Sequence, residues 1–215
     1  MAIRILPFRQ YDENDVINLF SMDACNSNPS QTVADAGMLV SVSERDMDKS
    51  PVELAADSND YLGKTNYPHV ARNYYPSVPL KVTANDGAKT ALGITLAQTL
   101  SHDENGENLL RYPQKKTELY AVTSGEAVPI ATKGVFTLAE TAFDVKPTTS
   151  HVAVKAGTSD NGGDPEDTDA TGKLVLHTAK DSNSIGDVLG VGSRTTQNGN
   201  PDQFEGSYAV IKLDL

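Results

Sequence analysis

The residues best equipped for chemistry are carboxylates crowded into one segment: Asp160, Asp164, Glu166, Asp167 and Asp169. Calcium is held by several such oxygens, so a loop this rich in acids is a candidate for it. The EF-hand order does not fit, because Gly162 and Gly163 come too early for the central turn and no closing Glu follows. The expectation is a solvated acidic loop over 158–171, with calcium as the alternative. His102-Asp103-Glu104 is a second cluster, but consecutive residues in a turn do not converge on one ion with the usual zinc spacing. Ser124-Gly125-Glu126 lacks the glycine that precedes the serine of a nucleophile elbow. His69, His102, His151 and His177 are scattered, and Cys25, the only cysteine, has no histidine near it in sequence. An idle or buried thiol is the expectation there. Leu189-Gly190-Val191-Gly192 runs into Ser, Arg and Thr rather than opening a helix, so it is not a phosphate or dinucleotide fingerprint. The reading is therefore no catalytic residues, no metal, no cofactor and no enzyme.

Charge narrows the partners. The chain has 215 residues and a formal net charge of −11, with a pI of about 4.7. Such a surface is repelled by phosphate backbones, which argues against nucleic acid. A single cysteine leaves no intrachain disulfide. No apolar run approaches the roughly 20 residues of a spanning helix, so no membrane is expected. Pro7, Phe8 and Arg9 break the only apolar run near the N-terminus, which lacks signal-peptide anatomy.

The elements that must position any site are strands. The organising stretch is 119–138, where Ser124-Gly125-Glu126 separates two apolar runs rich in Val, Ile, Thr and Phe. Pro129 lacks an N–H and belongs at a strand start, an edge or a bulge. Gly134 predicts a bulge or tight bend at a barrel corner. Val16–Met22 reads as strand, and Gly37–Ser43 as a second strand that pairs with it. Leu80–Thr83, Ala91–Thr99, His151–Lys155, Lys173–Thr178, Asp187–Ser193 and Ser207–Leu215 follow, separated by turn chemistry at Asn85-Asp86-Gly87 and Asp103–Gly106. Ser50-Pro51-Val52-Glu53 starts one short helix, Pro51 to Leu62. Ala91-Leu92-Gly93-Ile94-Thr95 and Val188-Leu189-Gly190-Val191-Gly192 echo one another as pseudo-equivalent strands of one barrel.

The fold class expected is all-β: an antiparallel β-barrel, Greek-key-like or sandwich-like, with one short helix and long irregular loops. An N-terminal arm over 1–14 precedes a single barrel domain over 15–215 with an insertion at 44–79. The 16 glycines and 11 prolines suit that many turns. Met1–Tyr11 carries Arg4 and Arg9 with no acid, and Ile3, Ile5, Leu6 and Phe8 make it apolar. It reads either as an ordinary first strand or as an arm docked on a neighbouring subunit. Tyr67, Tyr74 and Tyr75, set among prolines, form either a ring-packed connection or an aromatic surface for a partner.

Several of these segments in order resemble a known family. They are Leu92–Leu96, the run Gly125–Phe136, Gly172–Leu174, Leu189–Gly192 and the alternating C-terminal strand. The chain is similar over about two-thirds of its length to the β-barrel head decoration, or cement, proteins of tailed bacteriophages, and Asp15–Phe20 resembles the opening strand of one form. The resemblance implies a structural virion protein, commonly a homotrimer, on the outer surface of the capsid, where it clamps subunits of the major capsid protein. Capsid or subunit contacts are then expected at Ile3, Arg4, Ile5, Phe8 and Arg9 of the arm, together with Tyr74 and Tyr75. The alternatives are a tail, baseplate or other virion adaptor, or a carbohydrate-binding β module whose tyrosines stack sugars. The absence of Trp weighs against the last.

Overall fold

The computed structural model describes residues 5–22, 34–47, 78–100, 102–103, 105–109, 111–123, 125–156, 171–194 and 206–215. The expected helix Pro51–Leu62, most of the insertion 44–79, Cys25 and nearly all of the acidic loop 158–171 lie outside those residues. Strand dominates the rest. The strands are β1 (Ile5–Gln10), β2 (Val16–Met22), β3 (Leu39–Glu44), β4 (Lys81–Ala84), β5 (Ala91–Thr95), β6 (Gln98–Thr99), β7 (Ala121–Val122), β8 (Val128–Ala131), β9 (Lys133–Ala139), β10 (Ala153–Lys155), β11 (Val175–His177), β12 (Ser184–Arg194) and β13 (Gly206–Asp214). Among the described residues there is one α-helix, α1 (Pro113–Glu118), between β6 and β7.

These strands do not form a single barrel. Five close into a ring in the order β2-β4-β3-β5-β8, six form an open sheet in the order β1-β9-β13-β12-β10-β11, and β6 pairs with β7 alone. The pairing is antiparallel except for two contacts, β2 with β4 and β6 with β7, which are parallel. The expected partnership of β2 with β3 is absent, because β4 lies between them. The two echoing segments are likewise separated: 91–95 lies in the ring and 188–192 in the open sheet.

Side-chain alternation divides the ring strands between two cores. Val40, Val82, Val128 and Ile130 point into the ring with Met22 and Met38. Leu39, Ile94 and Ala131 point outward and pack against Phe136, Leu138 and Ile211 of the open sheet. Phe136, Leu138 and Ile211 are fully buried. Burying a side chain of this kind is worth about 1.5–3 kcal/mol, so this shared core is what binds ring to sheet.

The organising stretch of the sequence is where the chain crosses between the two sheets. β8 belongs to the ring and β9 to the open sheet, with only Thr132 between them. Beside this crossing, β1 and β2 make the same passage in the opposite direction, so β1 pairs with β9 and β2 with β8. Thr132 N–H and Oγ1 both donate to the Asp15 carbonyl, at 2.9 and 3.1 Å. Gly134 sits at this corner with φ 141°, a conformation that L side chains rarely adopt. Pro129 lies opposite an irregularity in β2: Ile17 faces Ile130 and Phe20 faces Val128, leaving Asn18 and Leu19 against the residue that has no N–H.

Candidate functional site

Residues 5–10 form a strand that takes an edge of the open sheet. Ile5 faces Leu138 and Arg9 faces Phe136, so Leu6, Pro7 and Phe8 stand against Thr137 alone. A bulge of this kind, with proline inside it, interrupts the row of backbone groups that an edge would otherwise offer for aggregation. It also turns Phe8 outward, 64% exposed.

Arg9 is held by a residue 111 positions away. Its guanidinium carbon lies 4.9 Å from the centroid of the Tyr120 ring, and Nη2 donates to the Tyr120 hydroxyl at 3.1 Å. That geometry combines a cation–π contact with a hydrogen bond and fixes both side chains. Tyr120 has φ 53°, the only positive φ among described non-glycine residues. Holding a side-chain-bearing residue there costs about 1–2 kcal/mol. The surroundings maintain it: Tyr120 N–H donates to Thr117 O at 3.1 Å, Gln98 N–H donates to Tyr120 O at 3.3 Å, and Gln98 Nε2 donates to Leu119 O at 2.7 Å. The ring remains half exposed at 50%. Next to it, α1 is pinned by two ion pairs, Lys115 with the enclosed Asp103 carboxylate and Lys116 with Glu126 at 2.9 Å. The Lys115 ammonium holds the Asp103 carboxyl below the usual carboxylate range.

Arg9 and Tyr120 thus give an aromatic and guanidinium pair, with Phe8 exposed on the same edge strand, and these residue types are enriched at the centres of protein interfaces. Its rigidity matters, because ordering a long side chain during docking costs about 0.5–1.5 kcal/mol, and Arg9 and Tyr120 are ordered already.

A concave cleft of about 560 Å³ opens at the corner between the sheets, lined by Tyr11, Asp12, Asp15, Lys133, Lys212 and Asp214 among others. Its charges answer one another. Lys133 meets Asp214 at 2.8 Å, which raises the lysine and lowers the carboxyl from their ordinary pKa values. Asp12 Oδ1 accepts from the backbone and side chain of Asn14, at 2.8 and 2.7 Å. Among the described residues, no three His, Cys, Asp or Glu side chains are grouped so as to hold a metal ion.

Of the residues expected at contacts, Ile5 packs against the core shared by ring and sheet, while Phe8 and Arg9 lie on the exposed edge. Ile3, Arg4, Tyr74 and Tyr75 lie outside the described residues. Tyr120 was not among the expected contacts: it falls within the organising stretch, but nothing local in sequence couples it to Arg9. His102, His151 and His177 stand on separate elements, and His151 Nδ1 is used locally, accepting from Thr148 N–H at 3.1 Å. Comparison with protein-family models, with curated proteins and with solved structures finds no match.

Proposed function

We propose that this chain is a structural virion protein that binds the outside of a phage capsid and stabilises contacts between major capsid subunits. The β structure is then read as a sandwich-like elaboration of the small barrels of such proteins. The observation that supports the reading is the preordered Arg9–Tyr120 pair, with exposed Phe8 on the same edge strand, on a two-sheet body whose net charge is −11. An interface with so few anchors is modest by itself. Repetition over a lattice, where several contacts on one assembly engage together, multiplies the occupancy by avidity.

The test is occupancy on purified capsids stripped of this protein. Phe8→Ala and Tyr120→Ala are preferable to removing residues 1–8, because that deletion takes out most of β1 and with it an edge of the sheet. Each variant is expected to keep its fold by circular dichroism and to lose at least about tenfold in capsid affinity, the loss of a side chain worth about 1.4 kcal/mol or more. Wild-type occupancy by both variants would remove the proposal.

A further inference from the structure

The lysine ion pairs of this chain all run to carboxylates: Lys115, Lys116, Lys133, Lys155 and Lys180 each meet an aspartate or a glutamate. Arg9 is held differently. Among the described residues no carboxylate pairs with it, and Tyr120 supplies both of its side-chain contacts, the ring and the hydroxyl. The two lysines of α1, just before Tyr120 in the chain, already hold their acids. A half-buried guanidinium is therefore fixed on an edge strand with its charge unanswered, on a chain whose net charge is −11.

The pair is built of donors. A guanidinium carries five N–H groups and no acceptor, and Tyr120 takes one of these, from Nη2, while its ring lies under the cation. The Tyr120 hydroxyl oxygen accepts from Arg9, so its proton turns elsewhere, and among the described residues nothing accepts it. Accepting from a cation polarises an O–H and makes it a stronger donor in turn. The remaining N–H groups and this O–H thus stand on two side chains that are already in place. An ionised carboxylate suits them: it only accepts, it has two oxygens, and it answers the charge. One oxygen can take an Arg9 N–H and the other the Tyr120 O–H. A neutral amide would bring donors of its own against them. A nucleic-acid backbone has the right acceptors but is repelled as a polyanion by the rest of the chain.

We infer that Arg9 and Tyr120 form a receiving site for a carboxylate, filled by an Asp or Glu side chain of the protein on which this edge docks. The identity of that protein rests on the capsid-binding reading; the chemistry of the contact rests on the donor set alone. Open to water, such a contact is weak. Once a docked surface excludes water it strengthens, and because both receiving side chains are ordered beforehand, little ordering cost is set against it.

Acetate is the probe for the isolated full chain. Sodium acetate is compared with sodium chloride at equal ionic strength while the Arg9 Nε–H and Tyr120 ring signals are followed by NMR. Acetate is expected to move both signals well beyond chloride. Arg9→Lys keeps the charge but not the fork, and Tyr120→Phe keeps the ring but not the hydroxyl; each is expected to shrink the response of the remaining partner at an unchanged melting temperature. Equal movement in acetate and chloride, a larger response to inorganic phosphate than to acetate, or full responses in both variants overturns the inference. Stripped capsids whose carboxylates have been converted to neutral amides with carbodiimide and ethanolamine give a second readout that leaves this chain unaltered. Removing acids from the capsid lessens its general repulsion of an acidic chain and would by itself tighten binding. Loss of the docked carboxylate is instead expected to weaken binding by at least about tenfold, as for a lost hydrogen bond to a charged group. A wild type that does not bind untreated capsids removes the proposed function and leaves the acetate result standing. Equal or tighter binding to the amidated capsids overturns the inference and leaves the proposed function standing.

Discussion

Gly134→Ala is the most demanding test of how ring and sheet are joined. At this corner an added Cβ would lie 2.8 Å from the Gln10 carbonyl oxygen, 2.9 Å from Tyr11 Cβ and 2.9 Å from Phe136 Cζ. Two of those atoms belong to the neighbouring, oppositely directed crossing of β1 into β2, and the third belongs to a fully buried ring that stacks on Tyr11 at 5.9 Å. None is the free end of a flexible side chain. The substitution therefore incurs two costs: about 1–3 kcal/mol for holding alanine at φ 141°, and about 1–3 kcal/mol for overpacking. Their sum is about 2–6 kcal/mol against a total stability of about 5–15 kcal/mol. For a chain of this size each kcal/mol lowers the melting temperature by about 2–4 °C, so a cost of about 3 kcal/mol predicts a fall of about 6–12 °C. Gly190→Ala is the matched control, since that glycine has open space around it. It is expected to change stability by less than about 1 kcal/mol, in the stabilising direction. Thermal melts followed by circular dichroism, with urea titration for the free energy, read both. A Gly134→Ala protein melting within about 2 °C of the wild type would refute the account of the corner.

Other expectations follow from single interactions. Asp144 is buried and its Oδ1 accepts the Leu176 N–H at 3.0 Å, closing the outer side of β11; Asp144→Ala strands that donor and is expected to cost about 1–3 kcal/mol by urea titration, with faster hydrogen exchange at Leu176. Asp103, Asp181 and Asp214 are held below the usual carboxylate range by Lys115, Lys155 and Lys133 respectively. Around pH 4 the unfolded chain binds more protons at these sites, so their stabilisation is complete above about pH 4 and is lost as pH falls through the lower folded values. A pH series of urea midpoints is expected to drop there, and less steeply in Asp103→Asn; an acid limb identical in that variant would show that the Lys115 pair contributes nothing. Lys133 is raised by Asp214, so its contribution is present below about pH 10.4 and is lost as pH climbs through its folded value. Lys133→Met is expected to flatten the alkaline limb.

The strands were legible because they announce themselves locally. Ser207–Leu215 alternates inward and outward residues along its length, and β13 shows that alternation in its burial. Gly134 and Pro129 were legible as irregularities because each lacks something a regular strand position needs, a tolerable Cβ clearance in one case and an N–H in the other. Partnership was not legible. Alternation says that a face is covered but not by which strand, so it suggests pairing β3 with its neighbour in sequence, whereas β4 and β5 flank it in the ring. For the same reason nothing in their similar sequences distinguishes 91–95 from 188–192, although the first is largely buried in the ring and the second half-buried or exposed in the open sheet. Helix α1 is not legible although Pro113 at its first turn is an N-terminal signal; it is too short for its apolar spacing to register beside two strands. The Arg9–Tyr120 contact lies at a sequence separation where only the folded chain brings the partners together.

The division of labour between the two sheets sets an order of assembly during synthesis. Every strand of the ring is drawn from residues 16–131, so the ring can close while the ribosome is still adding chain. The open sheet cannot follow, because β13, from residues 206–214, is the strand that joins β9 to β12. Until it emerges, Val135-Phe136-Thr137-Leu138-Ala139 is an uncharged, proline-free window with an unfilled edge, the kind that seeds aggregation. Soluble yield in a heterologous host is therefore governed by how quickly the segment from β9 to β13 is translated and captured.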